Sequence, residues 1–138
     1  MGSRKQEAAN RNKEERKSLF LAALNNNPTS PRKMRLVADM IRGMEVKQAL
    51  DVLRYNPKEA SRKLEKLLMS AISNWQAKND GVRIEDSHLY VKQVFVDSAR
   101  ILKRLRPAPQ GRGHRIKKRS NHVTIYLDSR KQVEKTDA

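Results

Sequence analysis

The stretch Asp97-Ser-Ala-Arg-Ile-Leu-Lys-Arg-Leu-Arg-Pro-Ala-Pro-Gln-Gly-Arg-Gly-His-Arg-Ile-Lys-Lys-Arg-Ser-Asn-His-Val-Thr-Ile-Tyr-Leu-Asp128 is bounded by two aspartates and holds no acid between them. It carries Arg100, Lys103, Arg104, Arg106, Arg112, Arg115, Lys117, Lys118 and Arg119, and is punctuated by Pro107, Pro109, Gly111 and Gly113. Its flanks read as strands. His88 to Asp97 is rich in β-branched and aromatic residues, and His122 to Leu127 alternates with period two. Joined through Pro107-Ala-Pro-Gln-Gly-Arg-Gly113, they predict a hairpin whose tip is longer than a two-residue turn. A leg of about a dozen residues, at about 3.3 Å each, reaches roughly 40 Å when extended. Its outer half offers only Ile101, Leu102, Leu105 and Ile116 as apolar residues. An isolated two-stranded ribbon is marginal in water, so this arm needs something else to hold it.

The rest of the chain must supply the core on which such an arm is mounted. Its 138 residues suit one domain, and a hydrophobic content of 37% allows a modest core. Ser30-Pro31 gives an N-cap followed by proline at the first helical position, and Gly43 marks the far end. Leu36, Val37, Met40 and Ile41 are the expected inward face of that helix, with Arg32, Lys33, Arg35 and Arg42 outward. Cations at a helix start oppose the macrodipole, which favours a phosphate-binding use for them. A second helix is expected from Glu45 to Arg54, with Val46, Ala49, Leu50 and Leu53 inward.

Asn56-Pro57-Lys58-Glu59 reads as a variant capping box that opens the longest helix. Along it Ala60, Leu64, Leu67, Leu68, Ala71, Ile72 and Trp75 recur with a helical period. Trp75 on that stripe is read as a packing residue in preference to a base-stacking one. Asn79-Asp80-Gly81 ends the helix. Upstream, Leu19 to Leu24 is expected to be a strand and Asn25 to Thr29 a loop. The resulting order predicts an α+β fold: a small antiparallel three-stranded sheet packed on three helices, with a long protruding β-hairpin arm. Residues 1–18 read as a basic polar tail, either mobile or helical only on a partner; 19–128 form the single domain, with the arm at about 97–122; 129–138 are a second tail.

The formal charge of +16 calls for a polyanionic partner, because so much like charge strains a compact state. Enzyme chemistry has little to work with. His88, His114 and His122 are not spaced as a metal pair, no Walker pattern surrounds Gln110-Gly-Arg-Gly113, and no metal or cofactor is expected. With no cysteine, disulfides and thiolate metal sites are excluded. No apolar run reaches transmembrane length, Met1-Gly2 lacks the Ser or Thr a myristoylation signal needs because Gln6 stands there, and the cytosol is the default compartment. Few aromatics argue against a single-strand stacking platform. Two nucleic-acid readings remain, an RNA-embedded structural protein and a β-arm DNA-bending protein with a proline at its tip. A basic chaperone or membrane-surface protein is a third.

Several motifs together resemble the bacterial L-twenty-two family of large-subunit ribosomal proteins. They are Ser30-Pro-Arg-Lys-Met-Arg-Leu-Val-Ala-Asp-Met-Ile-Arg-Gly43, Lys66-Leu-Leu-Met-Ser-Ala-Ile-Ser-Asn74, Val96-Asp97, Leu102-Lys-Arg-Leu-Arg-Pro107, Gln110-Gly-Arg112 and Arg115-Ile-Lys-Lys-Arg-Ser-Asn-His-Val123. The resemblance spans roughly residues 19–128. It implies a structural, non-enzymatic protein of the cytoplasmic large ribosomal subunit that binds large-subunit ribosomal RNA, contacts neighbouring ribosomal proteins and supports assembly, without forming a homo-oligomer. Arg32, Lys33, Arg35 and Arg42, then Arg100, Lys103, Arg104, Arg106, Arg112, Arg115, Lys117, Lys118 and Arg119, are the implied RNA contacts. Lys103, Arg104, Pro107, Pro109, Gln110, Gly111, Arg112 and Gly113 are the implied tip, beside the nascent peptide in the exit tunnel. Two departures stand out: Pro107-Ala108-Pro109 lacks an arginine usual in the family, and Ser98-Ala99-Arg100 replaces a common Gly-Pro at the arm's base.

Overall fold

In the computed structural model, which describes residues 3–79 and 82–130, the chain runs α1 (Ser3–Ser18), β1 (Phe20–Asn27), α2 (Pro31–Ile41), α3 (Val46–Tyr55), α4 (Glu59–Lys78), α5 (Ile84–Ser87), β2 (Leu89–Ser98), β3 (Leu102–Pro107), β4 (Gly113–Lys118) and β5 (Asn121–Ser129). The last strand lies in the middle of the main sheet. The order is β1-β5-β2 with both pairings antiparallel, and β3-β4 forms a second, two-stranded sheet. The α+β expectation holds, with α2, α3 and α4 as the three packing helices.

Alternation along β5 explains the layering. Val123, Ile125 and Leu127 are buried, and they are joined by Ala22 from β1 and Val91, Val94 and Val96 from β2 on the face covered by helices. The opposite face is open and carries Phe95 edge-on to Tyr126, with ring centroids 5.8 Å apart. There Lys92 Nζ lies 2.7 Å from Asp128 Oδ2, and this hydrogen bond raises the lysine above its ordinary value of 10.5.

α4 meets the core with the predicted stripe. Ala60, Leu64, Leu67, Leu68, Ala71 and Trp75 are buried, and Ile72 packs against them partly exposed. Its cap differs from expectation. The helix begins at Glu59, two residues later than Asn56-Pro57 suggested, and Asn56 Oδ1 instead accepts the Lys58 N–H at 3.1 Å. Of the helix-ending signal, Asp80 and Gly81 fall outside the described residues.

α2 starts at Pro31 after Ser30 and is followed by Gly43 at φ 79°, as its punctuation predicted. Its buried stripe is Met34, Val37, Ala38 and Ile41, whereas Leu36 and Met40 are 56% and 40% exposed. The apolar sector is wider than the contact with the sheet. Small Ala38 lets the helix settle on one side of that sector, leaving Leu36 and Met40 on its rim. The expected loop at 25–29 is also shorter, because β1 continues to Asn27 through an irregularity between Leu24 and Asn27. Asn26 takes φ 53°, a left-handed value that asparagine tolerates, and its N–H donates to His122 Nδ1 at 3.1 Å.

Where β5 enters the sheet, buried Asn121 donates through Nδ2 to Thr29 O at 2.6 Å and accepts from Asn27 Nδ2 at 3.2 Å. This polar knot sits at the root of the arm. Asn121→Ala leaves buried partners unsatisfied and is expected to cost about 1–3 kcal/mol, measured as a lower urea midpoint at unchanged m. An unchanged midpoint would show that the knot contributes nothing.

Candidate nucleic-acid interface

The arm grows out of the main sheet. β2 and β5 pair as far as Ser98 and Asn121, the Ala99 N–H donates to Ser120 O at 2.9 Å, and β3–β4 pairing starts at Leu102 and Lys118. Three residues (Ala99, Arg100, Ile101) thus stand against two (Arg119, Ser120). An extra residue on one strand bends and twists a ribbon, so the arm is re-aimed at its base. That is where the Ser98-Ala99-Arg100 departure lies. At the tip the Ala108 N–H donates to Arg112 O at 2.8 Å and closes a turn over Pro109–Gly111, with Gln110 at φ 65° and Gly111 at φ 69°.

Register settles how the cations are displayed. Successive side chains of a strand point to opposite faces. Leu102, Arg104 and Arg106 therefore share a face with Lys118, Ile116 and His114, while Lys103, Leu105 and Pro107 share the other with Lys117, Arg115 and Gly113. Both faces are cationic and neither is apolar. Every residue of β3 and β4 is exposed, Leu105 at 74%. Lys103 and Lys117 are direct cross-strand partners, a like-charge pairing that disfavours the ribbon. The ion pairs among the described residues (Arg42–Asp39, Lys47–Glu85, Lys63–Glu59 and Lys92–Asp128) include no arm cation. An arm with no apolar face and no internal counter-charge matches a ligand that brings its own negative charge.

Arg32, Lys33 and Arg35 on α2 and Arg42 just past its end are all exposed. Arg35 and Arg42 also have a structural use that the sequence did not show. Arg35 donates to Val96 O through Nε at 3.3 Å and Nη2 at 3.0 Å, and Arg42 Nη2 donates to Val94 O at 3.0 Å. These carbonyls lie on the free edge of β2, where Val91 is also bound through its N–H to Met44 O and its carbonyl to the Gly43 N–H, each at 2.9 Å. The edge is thereby closed to further strands. No sequence signal marks this, since it depends on which strand ends at the edge.

The other edge is fastened by α4. Asn74 Nδ2 donates to Leu21 O at 3.0 Å, and Lys78 Nζ donates to Leu19 O at 2.7 Å. Among the described residues no cluster of His, Cys, Asp or Glu is arranged to hold a metal, and no helix is long and apolar enough to cross a membrane.

The fold and this charge layout define a class, the basic α+β proteins that carry an extended hairpin beyond their core. Residues 22–128 match the ribosomal protein L22p/L17e family, and the chain belongs to that family. It is 63% identical over 127 residues to the large ribosomal subunit protein uL22 of Flavobacterium johnsoniae, covering 92% of this chain and 93% of that one. The uL22 protein of Porphyromonas gingivalis strain ATCC 33277 is 60% identical over 129 residues, covering 94% and 96%. That of Bacteroides fragilis strain YCH46 is 58% identical over 134 residues, covering 97% and 98%.

Proposed function

We propose that this protein is a structural, non-enzymatic constituent of the bacterial large ribosomal subunit in the cytoplasm, held there by large-subunit ribosomal RNA and neighbouring ribosomal proteins. The observation that carries the reading is the arm, with cations on both faces, no acid between Asp97 and Asp128 and every β3 and β4 side chain in solvent. Such a ribbon follows phosphates from two sides, and folded RNA offers them from two sides. Arg104, Arg106, Arg112, Arg115 and Arg119 add bidentate phosphate contacts that lysine cannot make. Arg32 and Lys33 extend the contact surface on α2, and Arg35 and Arg42 present what their guanidinium groups do not spend on β2.

In this reading the arm's outer part, Lys103 to Arg112, runs inward to the nascent-peptide exit tunnel, and the sheet with its helices stays near the outer opening. The turn at Pro109–Gly111 is then the part nearest the nascent peptide. Ultraviolet crosslinking in intact cells followed by gradient sizing tests this. Peptides from residues 100–119 are expected joined to large-subunit ribosomal RNA in the large-subunit fraction. Crosslinks to DNA, or protein only at the top of the gradient, would replace it with the DNA-bending reading.

A further inference from the structure

α1 lies ahead of the family-matched residues and buries none of its side chains. Its exit from the domain is nevertheless fixed. Lys78 Nζ donates to Lys17 O at 2.9 Å as well as to Leu19 O, and stands 5.4 Å from the centroid of the Phe20 ring. The Leu19 N–H donates to Arg16 O at 3.3 Å and Ser18 Oγ to Glu15 O at 2.7 Å. Carbonyls of the last turn are thus satisfied, and a cation sits at the negative end of the helix dipole. The helix leaves the β1 edge from an anchored end.

Its charges are sorted by ridge. Residues four apart line up along a helix. Glu7, Arg11 and Glu15 make one such row, alternating in sign, with Arg4 and Glu14 beside it. Lys5, Ala9, Lys13 and Lys17 make another, which contains no acid and has Arg16 alongside. One side compensates itself; on the other only Lys17 has an acid three or four residues away, Glu14, and Lys5, Lys13 and Arg16 have none. From Lys5 to Lys17 the acid-free row runs about 18 Å at 1.5 Å per residue.

Resting on the proposed function, we infer that α1 is a second RNA-binding element, which lays Lys5, Lys13, Arg16 and Lys17 along the phosphate backbone of duplex ribosomal RNA. Alanines 8 and 9 are its only apolar residues, so it has no anchor for a protein groove or a lipid surface. A polar 16-residue helix is also marginal alone, and a phosphate lattice supplies the counter-charge that orders it.

The test uses full-length protein and an in vitro transcript of large-subunit ribosomal RNA, with affinity measured over a range of salt. Two charge-matched variants separate face from net charge: Lys13→Ala/Lys17→Ala on the acid-free row and Arg4→Ala/Arg11→Ala on the compensated side. Alanine is the better helix former, so neither pair should melt α1. The first pair is expected to flatten the salt slope by about 1.4–1.8 units, at 0.7–0.9 per lost contact, and the second by less than a third of that. Equal losses from both pairs would reduce the effect to net charge and overturn the inference. So would no loss from either while an arm variant still flattens the slope, which leaves the proposed function standing. If the unaltered protein shows no salt-dependent binding to the transcript, the proposed function fails first and the inference with it.

Discussion

Replacing Arg112, Arg115, Lys117 and Arg119 together with alanine should flatten the salt dependence of RNA binding by about three units, at 0.7–0.9 per lost phosphate contact. A fourfold rise in salt would then weaken the variant about 60-fold less than the unaltered protein. The fold should survive untouched. All four side chains are exposed, none has an ion-pair partner among the described residues, and Lys117 faces Lys103 directly across the ribbon. Removing like charge from a chain of +16 relieves self-repulsion, so the free variant should melt no lower than the unaltered protein, and slightly higher at low salt. Binding and stability therefore move in opposite directions. Filter binding across salt and a melting curve without RNA check the two halves. A variant whose slope is unchanged would remove the arm from the interface, and one that melts early would mean the arm supports the core.

That the arm exists was legible because two signals agree over one interval: strand-like flanks, β-branched and aromatic from His88 to Asp97 and alternating with period two from His122 to Leu127, and an acid-free run of cations broken by Pro107, Pro109, Gly111 and Gly113. Local punctuation likewise located α2 from Ser30-Pro31 and Gly43, and one continuous stripe located α4. What stayed hidden is tertiary. Nothing in Val123–Leu127 says that the last strand inserts between the first and second, and the duties of Arg35, Arg42, Asn74 and Lys78 follow from that order because they cover the two edges it leaves. Leu36 and Met40 were misplaced for a related reason, since periodicity defines an apolar sector but the neighbour decides which part is covered. α5 has four residues, too few for any period, and Asn25–Asn27 has a loop's composition yet pairs with β5 through an irregular step. Among the proposed site residues, those on the arm needed only strand alternation to be placed, whereas those on α2 needed the whole sheet.

Trp75→Ala should be the most damaging single change in the core, lowering stability by about 3–5 kcal/mol. The indole is 1% exposed on the buried stripe of α4 and meets Phe20 at 6.3 Å between ring centroids, inclined at 63°. That contact ties the longest helix to β1, the strand whose edge Asn74 and Lys78 also hold, so a cavity there loosens three attachments together. Since small domains have only about 5–15 kcal/mol to lose, and this one is strained by its charge, the free variant should populate unfolded chains at 37 °C. Saturating RNA binds the folded state alone and should restore about 2.7 kcal/mol at a hundredfold excess over Kd. The unfolded fraction should therefore be large in free protein and much smaller in the complex, while the variant's midpoint stays below that of the unaltered protein in both. Urea unfolding with and without RNA measures both, and Trp75→Phe, which keeps an aromatic contact with Phe20, should recover most of the loss. If Trp75→Ala instead left the urea midpoint in place and weakened RNA binding, the indole would be a base-stacking group, and the packing of α4 on β1 would have to be carried by Leu64, Leu68 and Ala71.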